Sequence, residues 1–391
     1  LIYAIVSSDF LLKAQNVSFQ NVYGSTAQED PTDLIQCSNG ELVATGNTTI
    51  GQWPNAIIFR VNDLGTILWS KAMTSNSTGG ISIEKGVETL DGGLCFLGSF
   101  IDYAPHDSNK IALVKTDGAG QIQWTQSIDG PSSLGFSFAS DFFQGGDSCY
   151  YICGHEKISS SVSIPLVLKI NPNGQLAWSK TINCGNTKAL VLAPNNNDRI
   201  ATAILDSVNG NLIIVELDST GTFVGSVDLI APSGYPITSV SAAKFDTLNL
   251  RYLFCVNSEI PYFNANETNW RIYFDSNLAL AGAIPMTRPG DSLQIVAVMY
   301  SQPYKDVYLL HSRTGASKTL TMDTDAIPFA RGTFIDTLTN SMPVNFAYLN
   351  NQAMMILSET QIANTPEDFL LTRTLDPISI LPDIPIDACH S

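Results

Sequence analysis

The chain has 391 residues, 44% of them hydrophobic and only 14% charged, with a formal net charge of −16 and a pI near 4.5. That acidity argues against nucleic acid or an anionic membrane surface as a partner, because both demand a basic footprint; nor does any run of 18 apolar residues exist to span a bilayer as a helix. Length alone allows two or three domains, but a repeat runs through the sequence and makes one large domain the better reading.

Residues 1–15 begin with Leu1-Ile2-Tyr3-Ala4-Ile5-Val6 and Phe10-Leu11-Leu12, followed by Lys13-Ala14-Gln15. Two readings stand: the remnant of a secretory signal processed before Asn16, or an N-terminal extension, for which Asp9 inside the apolar run counts. Next, Phe19-Gln20-Asn21-Val22-Tyr23-Gly24 is similar to the residues that later follow each repeat turn, such as Trp124-Thr125-Gln126-Ser127-Ile128. It predicts an outermost strand with no preceding strands of its own.

The repeat itself is a phrase met three times. A cation (Arg60, Lys115, Lys169) stands two residues before Asn62, Asp117 or Asn171; Gly65, Gly120 or Gly174 follows three later; and Trp69, Trp124 or Trp178 ends the phrase. The three Trp residues are 55 and 54 residues apart. Asn and Asp tolerate unusual backbone angles and Gly accepts positive φ, so an Asx-x-x-Gly tetrad between two β-type runs predicts a tight hairpin turn. Upstream of each phrase lies another hairpin, at Ser38-Asn39-Gly40 in the first unit and Asp91-Gly92-Gly93 in the second. Farther on the phrase decays. Asp218 leads to Gly225, Asp275 to Gly282 and Asp323 to Ala330, always with an offset of seven, and a last three-strand unit runs from about Val344 to Arg373.

Four short strands in about 50 residues describe one blade of a β-propeller. A βαβ reading fails for want of any sustained 3.6-residue apolar period. The predicted fold is therefore all-β: a seven-bladed β-propeller of four-stranded antiparallel blades over residues 16–376, its ring closed by the N-terminal strand, with a Pro-rich tail at 377–391. Closure by that strand removes two exposed sheet edges at once.

Candidate chemistry is sparse. His106, His155, His311 and His390 form no pair at ligand spacing, so no metal or other cofactor is expected. No nucleophile elbow or phosphate loop appears, since the Gly-rich sites are all hairpin turns. Glu88 and Asp141, near the innermost strands of the second and third blades, are candidate channel acids, weighed against ordinary solvated loop carboxylates. Cys37, Cys95, Cys149, Cys153 and Cys255 read as small buried hydrophobes. Cys184 and Cys389 are the candidates for a bridge in an oxidising compartment.

The segment Val17 to Gly24, the run Thr89-Leu90-Asp91-Gly92-Gly93 and the phrase Lys115 to Trp124 together resemble secreted or cell-surface propeller-repeat proteins of the Bacteroidetes, most closely over residues 16 to 185. The resemblance implies export, and O-glycosylation at Asp-Ser/Thr-apolar triplets. These put candidate sites at Ser207, Thr247, Ser292 and Thr337, although Asp-Ser and Asp-Thr are also common turn pairs. In a eukaryotic source, Asn16, Asn47, Asn76 and Asn266 would be N-glycan sequons instead.

The phrase also resembles, distantly, the tryptophan-docking motif of quinoprotein-like propellers, in which the Trp packs between adjacent blades; the adjacent cysteines of the quinone enzymes are missing here. The expected role is a noncatalytic extracellular platform for protein partners in a surface or secretion-related assembly. The alternative is a glycan-binding or glycan-cleaving propeller with carboxylates in a central channel.

Overall fold

The computed structural model describes residues 17–374 except 25–26, 51–52, 76–78, 104–107, 131–135, 196, 207, 231–235, 248, 260–266, 286–292, 303–304, 313–316, 325–326, 336–340, 349–353 and 362–366. Residues 1–16 and the tail therefore lie outside it. Every described element is a β-strand or a turn, and the strands form four-stranded antiparallel sheets. The first sheet comprises Glu29–Gln36, Leu42–Ile50, Trp53–Val61 and Ile67–Met73, hydrogen-bonded in chain order. Five more sheets repeat this meander, beginning at Gly79–Glu88, Ser137–Gln144, Thr187–Pro194, Ile237–Asp246 and Leu293–Gln302. A seventh is built from Ser341–Tyr348, Met354–Gln361 and Glu367–Thr374, with Val17–Tyr23 pairing antiparallel along the last of these.

The first strand of each sheet packs on the first strand of the next, and Ser341–Tyr348 packs in turn on Glu29–Gln36. The arrangement is propeller-like, with first strands at the centre and fourth strands at the rim. Among the described residues, apolar cores lie between the seventh and first sheets and between consecutive sheets from the first to the fifth. Leu34, Leu42 and Phe59 of the first sheet meet Met355, Leu357, Phe369 and Leu371 of the seventh. In the third sheet, the neighbours Ile152 and Cys153 point into opposite cores, towards the second and fourth sheets respectively, because successive strand residues alternate faces. A second strand buried on both faces is therefore apolar throughout, as Leu94–Leu97 is. Outer strands alternate instead between exposed and half-buried residues.

Each first strand carries a β-bulge near its middle, just before Asp33, Lys85, Asp141, Val191, Ala242, Ala297 and Asn345. A bulge twists and bends its strand, which suits a strand that must turn at a crowded centre. In three sheets the second strand places glycine beside it, at Gly46, Gly98 and Gly154. A Cβ at Gly98 or Gly154 would stand only 1.8 Å or 1.9 Å from a carbonyl oxygen of the bulged strand, so no side chain fits there.

Candidate functional site

The phrase that repeats in sequence builds one local device. In the second sheet the Asp117 carboxylate accepts from the amides of Ala119 (3.0 Å) and Gln121 (2.8 Å), while Gly120 N–H donates back to Asp117 O (3.0 Å). Asn62, Asp218 and Asp275 make the same loop, and Asn171 shares its backbone bonds. Gly65, Gly120, Gly174 and Gly221 take φ of 75° to 86° there, and in the fifth sheet Leu278 adopts 63° in the glycine's place. The Trp of one sheet lies over the turn glycine of the next: Trp69 over Gly120, Trp124 over Gly174 and Trp178 over Gly221, where an added Cβ would meet the ring at 2.9–3.1 Å. These Trp side chains are half-buried, because the rim strand that carries them keeps one side in solvent. Where Trp is lost the register holds, since Gly225 and Gly282 pair as Trp124 does.

The cation of the phrase ties sheet to sheet. Arg60 donates to Gly118 O of the next turn at 2.7 Å, and Lys169 to Ser219 O at 3.2 Å. Each cation also meets an acid of its own sheet, Arg60 with Glu41 (2.6 Å), Lys115 with Asp91 (3.0 Å) and Lys169 with Asp147 (2.8 Å). The Asp91 carboxyl is pulled down to about 2, chiefly by the Thr89 hydroxyl, against the opposing effect of burial, with Lys115 and the Gly93 amide adding to the pull. The fourth sheet reverses the signs. Glu216 stands at the cation's place and Arg199, the counterpart of Glu41, binds it at 3.2 Å, while the Tyr252 hydroxyl donates to Glu216 at 2.6 Å. Substituting Glu216 with Lys is expected to destabilise by about 2–4 kcal/mol, since it sets a buried cation against the Arg199 guanidinium and leaves the Tyr252 hydroxyl without its acceptor. Adding Arg199→Glu should recover part of the loss in thermal denaturation, and additive damage would refute the pairing.

The two acids singled out from sequence do lie on first strands, and both are engaged with neighbouring sheets. Glu88 accepts from Ser38 N (2.6 Å) and Ser38 Oγ (3.1 Å) in the first sheet's turn. Asp141 pairs with Lys85 of the second sheet (2.7 Å) and accepts from Leu192 N of the fourth (2.9 Å). Asp141 belongs to a larger belt at the bulges. Asp33 accepts from Gly86 N at 2.9 Å, the same link one sheet to the next, and also from Leu34 N (2.9 Å) and the Asn345 amide of the seventh sheet. A polar chain thus runs through Asn345, Asp33, Lys85 and Asp141, whereas the fourth, fifth and sixth sheets present Val191, Ala242 and Ala297 at the same position. Burial pushes the Asp33 carboxyl above its ordinary range, against the pull of the Gly86 amide and the Lys85 charge. Burial lowers the Lys85 pKa, but Asp141 and Asp33 outweigh it and the net shift is upward.

The two faces of the assembly differ. Tight turns joining first to second and third to fourth strands, among them 37–41, 62–66, 89–93 and 117–121, share one face. Segments joining second to third strands, and one sheet to the next, emerge on the other. On this loop face Trp53 stacks on Tyr103 at 4.3 Å, and Lys110 pairs with Asp129 at 2.9 Å. Around the rim, apolar residues two places before the Trp position recur at Ile67, Ile122, Leu176, Phe223 and Leu280, all 46–59% exposed.

Cys37, Cys95, Cys149, Cys153 and Cys255 are buried and form no disulfide. Cys184 is also unbridged, its sulfur 3.0 Å from Thr187 Oγ1; Cys389 lies outside the described residues. Of the triplet hydroxyls, Thr247 is exposed, beside an Asp246 bound to Asn249 and Arg251. Ser207, Ser292 and Thr337 lie outside the described residues. The Asn47 sequon is occupied by packing: its side chain bonds Ile83 N (2.8 Å) and Ile83 O (3.2 Å) of the next sheet. Among the described residues no group of three or more His, Cys, Asp or Glu could hold a metal ion, and no helix is long and apolar enough to cross a membrane.

No family model matches the sequence, and no curated protein does. Solved structures match the fold. The chain is similar to Kuenenia stuttgartiensis hydrazine synthase (TM-score 0.59, 10% identity, covering 86% of this chain and 95% of that one). It is also similar to Drosophila plexin A in complex with semaphorin 1b (TM-score 0.56, 9% identity, 93% and 88%) and to the polysaccharide lyase Uly1 (TM-score 0.53, 10% identity, 92% and 100%). At such identities the likeness supports a propeller-type fold and nothing finer.

Proposed function

We propose that the chain is a seven-bladed β-propeller, closed by its N-terminal strand, that serves outside the cell as a noncatalytic platform for protein partners. The observation that carries this reading is the state of the central acids: Asp33, Glu88 and Asp141 each accept hydrogen bonds from a neighbouring sheet. A general acid or base must keep an oxygen within reach of substrate, and these oxygens hold the blades together instead. The plexin likeness comes from a protein captured with a protein partner, and the half-exposed apolar rim and the longer loop face offer surface for one. Placement outside the cell, a Bacteroidetes-type repeat and glycosylation at Thr247 rest on the sequence resemblance.

The test is binding to a partner isolated from the surface of the source cells, with variants on each surface. Tyr103→Ala and Lys110→Glu on the loop face are expected to weaken binding at least tenfold, whereas Glu88→Gln and Asp141→Asn leave it within about twofold in folded protein. Turnover of an oligosaccharide, abolished by either carboxylate substitution, would establish the glycan-cleaving alternative, for which the lyase likeness is the motive.

A further inference from the structure

The third sheet carries a cationic and aromatic cluster where its first two strands reach the loop face. Phe138 and His155 are cross-strand partners, with rings stacked at 5.0 Å and 12°. Lys157 lies over both Phe138 (5.4 Å) and Phe136 (5.7 Å). All four side chains are half-buried. Strand alternation sets their direction: Cys153, two residues before His155, points into the core shared with the fourth sheet, so His155 and Lys157 turn the same way. From the fourth sheet, exposed Lys188 comes close enough to act on His155. Burial, Lys188 and Lys157, in that order, hold the His155 pKa down at about 4, and its Nδ1 is buried without a hydrogen-bond partner.

In a chain of net charge −16, two lysines converging on an imidazole and two phenyl rings are a local reversal of the field. A cation cluster attracts an anion most strongly where low-dielectric walls limit screening by water. The surrounding acidity repels an extended polyanion, so the ligand should bring one acidic group with a mostly neutral body. Aromatic ring faces suit the C–H face of a sugar ring, and lysine ammonium groups suit a carboxylate. We infer that the Phe136, Phe138, His155, Lys157 and Lys188 cluster is a subsite for a carboxylated sugar, such as the uronic acid residue of a glycan. It rests on the loop face being the binding face, as proposed above, and adds a ligand class to it.

The experiment titrates the full chain with an acidic trimer made of two galactose residues and one galacturonic acid, with a neutral galactose trimer and a glutamate-rich peptide as controls, followed by NMR of His155 and by calorimetry. The acidic trimer is expected to bind at least tenfold more tightly than the neutral one and to raise the His155 pKa from about 4, because a bound carboxylate offsets the lysines. Lys157→Ala and Lys188→Ala should each weaken binding about tenfold, and Lys157→Arg should retain most of it. Equal binding of both trimers, an unmoved His155 pKa, or preference for the peptide would overturn the assignment. Cleavage of the trimer would refute the noncatalytic platform while leaving the subsite intact; loss of trimer binding with partner binding preserved would refute the subsite alone.

Discussion

Deleting residues 1–23 is expected to lower the thermal midpoint by at least 5 °C and to promote aggregation, whereas deleting residues 1–16 alone changes the midpoint by less than about 2 °C. The difference is the strand Val17–Tyr23, which pairs from Val17 opposite Thr374 to Tyr23 opposite Phe369. Without it Glu367–Thr374 becomes an edge, with unpaired N–H and C=O groups open to another chain. Phe369 and Leu371, fully buried now, lie in that strand. Tyr23 adds a second tie, since its ring lies 5.1 Å from Phe59 and its hydroxyl donates to Gly65 O in the first sheet. At about 0.5–1.5 kcal/mol for each lost hydrogen bond, plus the newly exposed apolar surface, the loss is on the order of 5 kcal/mol. An entropy of unfolding of about 2.1 cal/mol/K per residue converts this to roughly 6 °C in a fold of this size. Equal midpoints for the two deletions would show that the strand does not close the assembly.

Much of this architecture is local, which is why it could be read from sequence. An Asx side chain that caps its own turn and a glycine at positive φ act within five residues, so Asp117 through Gln121 announce themselves without reference to the rest of the chain. The constant offset of seven survives loss of Trp because it reflects register: Gly225 still pairs with Glu216 as Trp124 does with Lys115. The central belt could not be read in that way. Its bulge position accepts Asp, Lys, Asp, Val, Ala, Ala and Asn in turn, and Asp33 meets Asn345 across 312 residues. Asp141 was visible as an acid near the centre, but Lys85 and Leu192 are separated from it by 56 and 51 residues, so its engagement was not. One signal was available: Asp33, Lys85 and Asp141 stand 52 and 56 residues apart, close to the Trp spacing. The cluster around His155 was hidden for a related reason, since alternation puts His155 and Lys157 on one face only once the strand's direction is known.

The belt also carries the larger prediction for a single residue, that Asp33→Ala destabilises the chain by about 3–5 kcal/mol, close to the whole effect of losing the closing strand. The carboxylate joins three sheets at once, taking N–H groups from Leu34 in its own strand, Gly86 in the second sheet and the Asn345 amide in the seventh. Alanine leaves those donors facing each other with no acceptor, and leaves Lys85 with one acid fewer nearby. Asp33→Asn should recover only part of the loss, because its amide retains one acceptor oxygen and turns an N–H₂ toward donors that are already there. The pH dependence has a definite sign. Burial raises the Asp33 pKa in the folded state, so the folded chain holds its proton more tightly than the unfolded chain. This group therefore contributes most to stability below the ordinary carboxylate pKa and loses that contribution as pH climbs through the raised value. Comparing denaturation midpoints of wild type and Asp33→Asn from pH 3 to 7 isolates that contribution: the difference should narrow as pH rises. A difference that widened instead would mean that the carboxylate is held charged by Lys85 and the amides more strongly than burial opposes it.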